Sequence, residues 1–73
     1  MRDLTLLPPY IELWEELKRR GGIAKDSELF KILRSRYDIS RREYNKLLMM
    51  MELRGYIHVE YLKKNERLIR ALR

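Results

Sequence analysis

The spacing of apolar residues changes at Gly55, and this change constrains the fold more than any other feature. Before Gly55, Tyr44, Leu48 and Met51 recur at intervals of three and four residues, which is typical of one face of a helix. After it, residues 56–62 alternate between two sets of side chains, which is typical of a strand. The sequence therefore predicts a helix that ends at a glycine and passes directly into a strand.

Similar signals divide the rest of the chain. Paired prolines, paired glycines and polar capping residues separate segments with a helical or an alternating apolar pattern. They predict a fold that is mainly α with a small β-hairpin, formed by a single domain over residues 8–73 that follows an N-terminal arm over residues 1–7. The predicted elements are helices over residues 8–20, 27–37 and 41–54 and strands over residues 56–62 and 67–72.

The sequence also makes predictions for the link between the first two helices and for the turn of the hairpin. Between the first two helices, Ile23 and Ala24 form a short apolar link, and Asp26 or Ser27 is expected to cap the second helix. In the hairpin turn, Asn65 is the residue best suited to a left-handed backbone conformation.

The third predicted helix has two different sides. Ser40 followed by Glu43 is the pattern of a capping box at its start. On a helical projection Met51 faces the core, Met49 faces outward and Met50 lies between them. The outward side also carries polar and basic residues, so it is the part of the helix that could contact a partner.

Positive charge is concentrated in the second half of the chain. Residues 1–39 carry eight Lys/Arg and seven Asp/Glu, a net charge of +1, whereas residues 40–73 carry nine and four, a net charge of +5. A basic half on a small domain favours nucleic acid as the partner, ahead of an acidic protein or a membrane surface. The many charged residues, with neither glutamine nor cysteine present, favour a heat-adapted source.

The segment LLMMMELRGYIHV, residues 47–59, resembles the L-x-x-L-E-x-x-G-apolar-apolar pattern of MarR- and ArsR-like regulators. In that pattern the recognition helix of a winged helix-turn-helix domain runs into its wing. The short chain is most similar to the small archaeal and archaeal-viral proteins of this type. It shows no extra helices for dimerisation, so the resemblance does not extend to a stable dimer on a palindromic site.

The resemblance implies that the chain binds double-stranded DNA and regulates transcription. It places the third helix in the major groove, where Arg or Lys can contact guanine, Asn can contact adenine, and an outward methionine can contact a thymine methyl. It places the basic wing, residues 63–67, on phosphates. The candidate DNA-binding residues are Arg41, Arg42, Asn45, Lys46, Met49, Lys63, Lys64 and Arg67.

Other interpretations of the same residues remain open. Basic residues on an exposed helix and hairpin can simply be solvated, and the charge could equally meet double-stranded RNA or an acidic protein. Alternatively, Met49, Met50 and Leu53, together with the N-terminal leucines, could form an apolar patch that binds a protein partner or a second copy of the chain.

Several classes of protein are disfavoured by the sequence. There is no cysteine and a single histidine, His58, so a metal site is not expected, and no motif suggests a nucleophile with a base or a phosphate-binding glycine loop. We therefore expect neither an enzyme nor a cofactor, and no small-molecule substrate. No segment is typical of a signal peptide or membrane span, so the expected location is the cytoplasm.

Overall fold

The computed structural model of the protein describes residues 7–73, so the predicted arm lies outside the described residues except for Leu7. The boundaries predicted for the three helices and the two hairpin strands are within one residue of the observed ones. The elements are α1 (Pro9–Arg19), β1 (Ile23–Lys25), α2 (Asp26–Arg36), α3 (Arg41–Leu53), β2 (Ile57–Lys63) and β3 (Glu66–Ala71).

Glycines end two of the helices as predicted. Gly21 and Gly55 follow α1 and α3 with φ of 85° and 80°, in the left-handed region that glycine adopts without a steric penalty. After α3, the Tyr56 N–H donates to the Met51 carbonyl at 3.0 Å, a bond that satisfies an otherwise free carbonyl of the last turn. This bond fixes the direction in which the chain leaves α3 and enters β2.

The start of α3 is also as predicted, whereas the start of α2 is not. The Ser40 hydroxyl accepts from the Glu43 N–H and the Glu43 carboxylate accepts from the Ser40 N–H, which completes the capping box. In α2 the residue before the helix is Lys25, and no side chain caps it. The expected cap by Asp26 or Ser27 is therefore wrong, because the Asp26 carboxylate is engaged by two arginines from elsewhere in the chain.

A third strand was not predicted. The residues expected to form an apolar link belong to β1, which pairs antiparallel with β3, so the sheet order is β1-β3-β2. The expected two-stranded hairpin is thus part of a three-stranded antiparallel sheet, and the fold is mixed α/β rather than mainly α. A strand of three residues is too short to show an alternating pattern, and its pairing partner lies at the far end of the chain.

The sheet has one covered and one open face. Ala24, Ile69 and Val59 are aligned across the three strands and are all buried against the helices. The next row across the strands, formed by Ile23, Arg70 and His58, is exposed. The helices therefore occupy one side of the sheet, and His58 lies on the open side.

The core is formed by the helical stripes and the covered face of the sheet. Met51 is 2% exposed and Met49 is 61% exposed, with Met50 half-buried, so the predicted orientation of the three methionines is confirmed. Tyr10, which shares the apolar stripe of α1, is largely exposed. The buried apolar residues are Leu13, Leu17, Ala24, Leu29, Leu33, Tyr44, Leu48, Met51, Ile57, Val59 and Ile69.

Candidate nucleic-acid interface

The outward side of α3 carries a stripe of four exposed residues, here called the outer stripe: Arg42, Lys46, Met49 and Leu53. They follow one another at intervals of four, three and four residues, so they lie on one line along the helix. Neither Arg42 nor Lys46 makes an ion pair with any residue from 7 to 73. Both side chains are exposed, and the charge of Lys46 helps to lower the pKa of the nearby Glu43 carboxylate.

Arg41 has a different environment from its neighbour Arg42. Its guanidinium contacts the Asp26 carboxylate, with an Nη2–Oδ2 distance of 2.6 Å. It also lies over two aromatic rings, 4.7 Å from the centroid of Phe30 and 5.5 Å from that of Tyr44. The side chain is still 47% exposed, so it reaches the surface while Asp26 neutralises part of its charge.

Arg67, grouped with the hairpin tip by its sequence, lies in β3 and extends towards α3. Its guanidinium donates to Asn45 Oδ1 at 2.9 Å and lies 3.1 Å from Asp26 Oδ1. Burial lowers the pKa of Arg67, but the carboxylate of Asp26 outweighs that effect and the pKa is raised above its ordinary value. The hairpin and the helix are thus joined through a permanently charged side chain.

Asp26 is the functional-site residue that sequence reasoning missed. It is the first residue of α2 and is only 4% exposed, and its carboxylate joins Arg41 of α3 to Arg67 of β3. Its backbone carbonyl accepts from the buried Tyr44 hydroxyl at 3.2 Å. Burial, followed by the nearby Asp26 charge, raises the pKa of Tyr44 above its ordinary value, so this hydroxyl remains a donor. We call Asp26, Arg41 and Arg67 the Asp26 cluster.

A groove separates α3 from the hairpin. Its upper part, of about 290 Å³, is lined by both arginines of the Asp26 cluster and by Asn45, Tyr61, Asn65 and Glu66. A second part, of about 210 Å³, includes Asn45, Met49, Glu52 and Tyr61. Tyr61 is 72% exposed and lines both parts. The groove therefore contains charges of both signs, with Glu52 and Glu66 beside Arg41 and Arg67.

The tip of the hairpin lies at one end of this groove. Lys63 and Lys64 are exposed there, and neither makes an ion pair within residues 7–73. Asn65 has a φ of 64°, so the left-handed turn residue is where the sequence predicted it. The bond between Asn45 and Arg67 fixes the hairpin alongside α3. Lys63 and Lys64 therefore lie at the hairpin end of the groove, whereas Arg42 and Lys46 do not line it and Lys46 lines a different groove, beside Met50.

The residues of the alternative, apolar patch do not lie together. Met49 and Leu53 belong to the outer stripe, and Leu53 is 81% exposed. Met50 instead faces a different groove, of about 640 Å³, whose apolar lining is Pro9, Tyr37, Ile39 and Leu47. Leu4 and Leu6 lie outside the described residues; the Leu7 carbonyl accepts from the Tyr37 hydroxyl.

No protein-family model matches this chain, and neither the curated proteins nor the solved structures contain a significant match. In the part of the chain that the structure describes, no helix has the length and hydropathy needed to cross a membrane. The same part contains no group of three His, Asp or Glu side chains placed to hold a metal ion. The function of the protein is therefore inferred from its own residues and geometry.

Proposed function

We propose that this chain is a winged helix-turn-helix protein that binds double-stranded DNA and acts as a transcriptional regulator. In this proposal α2 and α3 form the helix-turn-helix, α3 enters the major groove and the β2–β3 hairpin is the wing. The observation that carries the proposal is the 2.9 Å contact between Arg67 and Asn45, since it holds the hairpin alongside the exposed basic side of α3. A duplex could then meet both at once.

The individual side chains have distinct roles in this proposal. Arg42 and Lys46, exposed in the first half of α3, contact base edges or the adjoining phosphates. Asn45 uses its Oδ1 to accept from Arg67, which leaves its amide N–H groups to donate to a base. Lys63 and Lys64 contact the phosphate backbone from the wing. The protein requires no cofactor for this role and catalyses no reaction.

The proposal is tested by titrating a random-sequence duplex at about 50 mM and about 200 mM salt, with the wild type and with an Arg42→Ala/Lys46→Ala variant. Each lost phosphate contact lowers the slope of log affinity against log salt by about 0.9. We expect the variant to lose about 1 to 2 such contacts and at least tenfold in affinity at the lower salt. Its urea unfolding should match that of the wild type, because both side chains are exposed.

A matched control removes the same charge elsewhere. Lys31→Ala/Arg54→Ala deletes one exposed cation from α2 and one from the residue after α3, and neither makes an ion pair within residues 7–73. We expect this control to bind DNA nearly as the wild type does. Equal losses in the two variants would mean that net charge alone drives binding, and unchanged binding by the α3 variant would remove that helix from the interface.

A protein-interaction module is the second candidate function, and the exposure of Met49 and Leu53 favours it. These side chains are 61% and 81% exposed and adjacent along the outer stripe, which is unusual for large apolar groups without a partner. The salt titration separates the two functions. A protein that binds no duplex at the lower salt, yet self-associates in a manner abolished by Leu53→Asp, is an interaction module rather than a DNA-binding protein.

A further inference from the structure

The Asp26 cluster contains two of the cations predicted to contact DNA, but a carboxylate of the same chain already neutralises part of their charge. Asp26 Oδ2 is 2.6 Å from Arg41 and Asp26 Oδ1 is 3.1 Å from Arg67. The acid is 4% exposed, whereas the two arginine side chains are 47% and 19% exposed. The two guanidinium groups therefore line the groove, and both are paired with a carboxylate that is buried beneath them.

Neither arginine can leave Asp26 without a cost. When one arginine leaves, the buried carboxylate keeps only the other as a partner, and the full cost of an uncompensated buried charge, several kcal/mol, arises only if both leave. Arg41 also loses its contact with the Phe30 ring if it moves away. A phosphate group would have to replace these interactions, whereas Arg42 and Lys46 have no ion pair to give up within residues 7–73.

The difference matters because counterion release dominates non-specific DNA binding. A cation that is neutralised by its own protein releases few counterions when a phosphate approaches, so it adds little to the affinity for random DNA. Its N–H groups nevertheless remain in a fixed position at the groove. Such a residue can still contact a DNA site whose shape matches its fixed N–H groups. The affinity for that site therefore increases relative to the affinity for random DNA.

We propose that Asp26 is a specificity-determining residue, which rests on the proposed function of the chain. Its carboxylate competes with phosphate for Arg41 and Arg67 and so limits the affinity for DNA of arbitrary sequence. Contact with phosphate is left to Arg42, Lys46 and the two wing lysines. Asp26 acts through the arginines and touches no DNA itself.

The test is the Asp26→Asn substitution in the full chain, which keeps the shape of the side chain and removes its charge. Binding of a random-sequence duplex is measured from about 50 mM to about 200 mM salt. We expect the slope of log affinity against log salt to steepen by about 0.9 to 1.8 as one or two arginines gain phosphate contacts. Affinity at the lower salt should rise by roughly threefold to tenfold.

Glu60→Gln is the matched control, since it also removes one acid that pairs with an arginine. Glu60 holds Arg70 at 2.9 Å, and both side chains are about half exposed on the open face of the sheet. We expect this variant to keep the wild-type salt slope. An equal steepening in both variants would show that any lost acid has this effect, and that result would overturn the proposal.

Two further measurements test whether Asp26→Asn is stably folded and whether Arg41 contacts phosphate in the wild-type protein. Asp26→Asn is compared with the wild type by urea unfolding, because a purely structural role would lower stability and DNA affinity together without steepening the salt slope. If the variant does not fold, Arg41→Gln decides the question in the wild-type background. We expect it to leave the slope unchanged, and a slope reduced by about 0.9 would show that Arg41 already contacts phosphate.

The outcomes also separate this inference from the proposed function. Duplex binding by the wild type, with the same salt slope in folded Asp26→Asn, contradicts only the role of Asp26. Failure of both proteins to bind duplex at the lower salt contradicts both proposals.

Discussion

Arg41 and Arg42 are adjacent in the sequence, but they belong to two regions with different physical roles. Arg41 lies in the Asp26 cluster, where it shares the Asp26 carboxylate with Arg67 and its guanidinium lies over two aromatic rings. Arg42 lies in the outer stripe, is exposed and makes no ion pair with residues 7–73. A rotation of about 100° around the helix axis separates them.

The comparison shows that a basic helix is not a uniform binding surface. In the Asp26 cluster, charge holds α2, α3 and β3 together and contributes to stability. In the outer stripe, charge contributes almost nothing to folding and is available for binding. Substitutions that affect the two regions should therefore separate stability from DNA affinity.

The largest effect is expected at Tyr44, which packs beneath the Asp26 cluster and is fully buried. Tyr44→Ala removes an aromatic ring from the core and should lower the free energy of unfolding by about 3–5 kcal/mol. Tyr44→Phe removes only the hydroxyl that donates to Asp26 and should cost about 1 kcal/mol. Urea unfolding measures both, and similar values for the two variants would contradict a core role for the ring.

An intermediate effect is expected when the two adjacent arginines are exchanged for alanine one at a time. Arg41→Ala leaves the buried Asp26 with Arg67 alone and should lower the free energy of unfolding by about 1–2 kcal/mol, a buried-pair cost reduced by partial exposure. Arg42→Ala should change it by less than about 0.5 kcal/mol. Urea unfolding of the two variants decides this, and equal values would remove the distinction between the regions.

The smallest effect is expected at Glu43, which caps α3 near the outer stripe. The hydrogen bond from the Ser40 backbone N–H, and then the bond with the Ser40 side chain, hold the pKa of Glu43 below its ordinary value of 4.5. Because the pKa is lowered in the folded state, its contribution to stability is complete above pH 4.5 and is lost as the pH falls through the lowered value. The free energy of unfolding should therefore decrease as the pH falls below 4.5.

Glu43→Gln tests this contribution, since it keeps an acceptor for the Ser40 N–H and does not titrate. We expect its unfolding midpoint in urea to fall less steeply with acid than that of the wild type. Both proteins should respond alike above the ordinary pKa of the glutamate. Identical acid dependence in the two proteins would mean that the capping box contributes no measurable pH-dependent stability.

Local features of the fold could be predicted from the sequence because they depend on residues a few positions apart. The helix bounds follow from apolar spacing and glycines, the capping box follows from Ser40 and Glu43, and the turn follows from Asn65. The strand β1 could not be predicted in this way, because its pairing with β3 joins distant segments.

The candidate site was predicted in part. Arg42, Lys46, Lys63 and Lys64 are exposed, as a DNA-contacting role requires, but that role remains a prediction. No periodic pattern indicated that Asp26 would engage Arg41 and Arg67, because an acid near a helix start is ordinarily a cap. Whether a predicted contact residue is free or already paired depends on what the rest of the chain places beside it.

By itself, the sequence determined the local elements, their order and the excess of positive charge in the second half of the chain. Only the tertiary structure decided which of those charges are free, because ion pairing depends on distances across the fold and not on spacing along the helix. The hairpin returns Arg67 to α3, and α2 supplies the acid that holds it. Folding therefore divides one basic segment into a partly neutralised cluster and an exposed stripe.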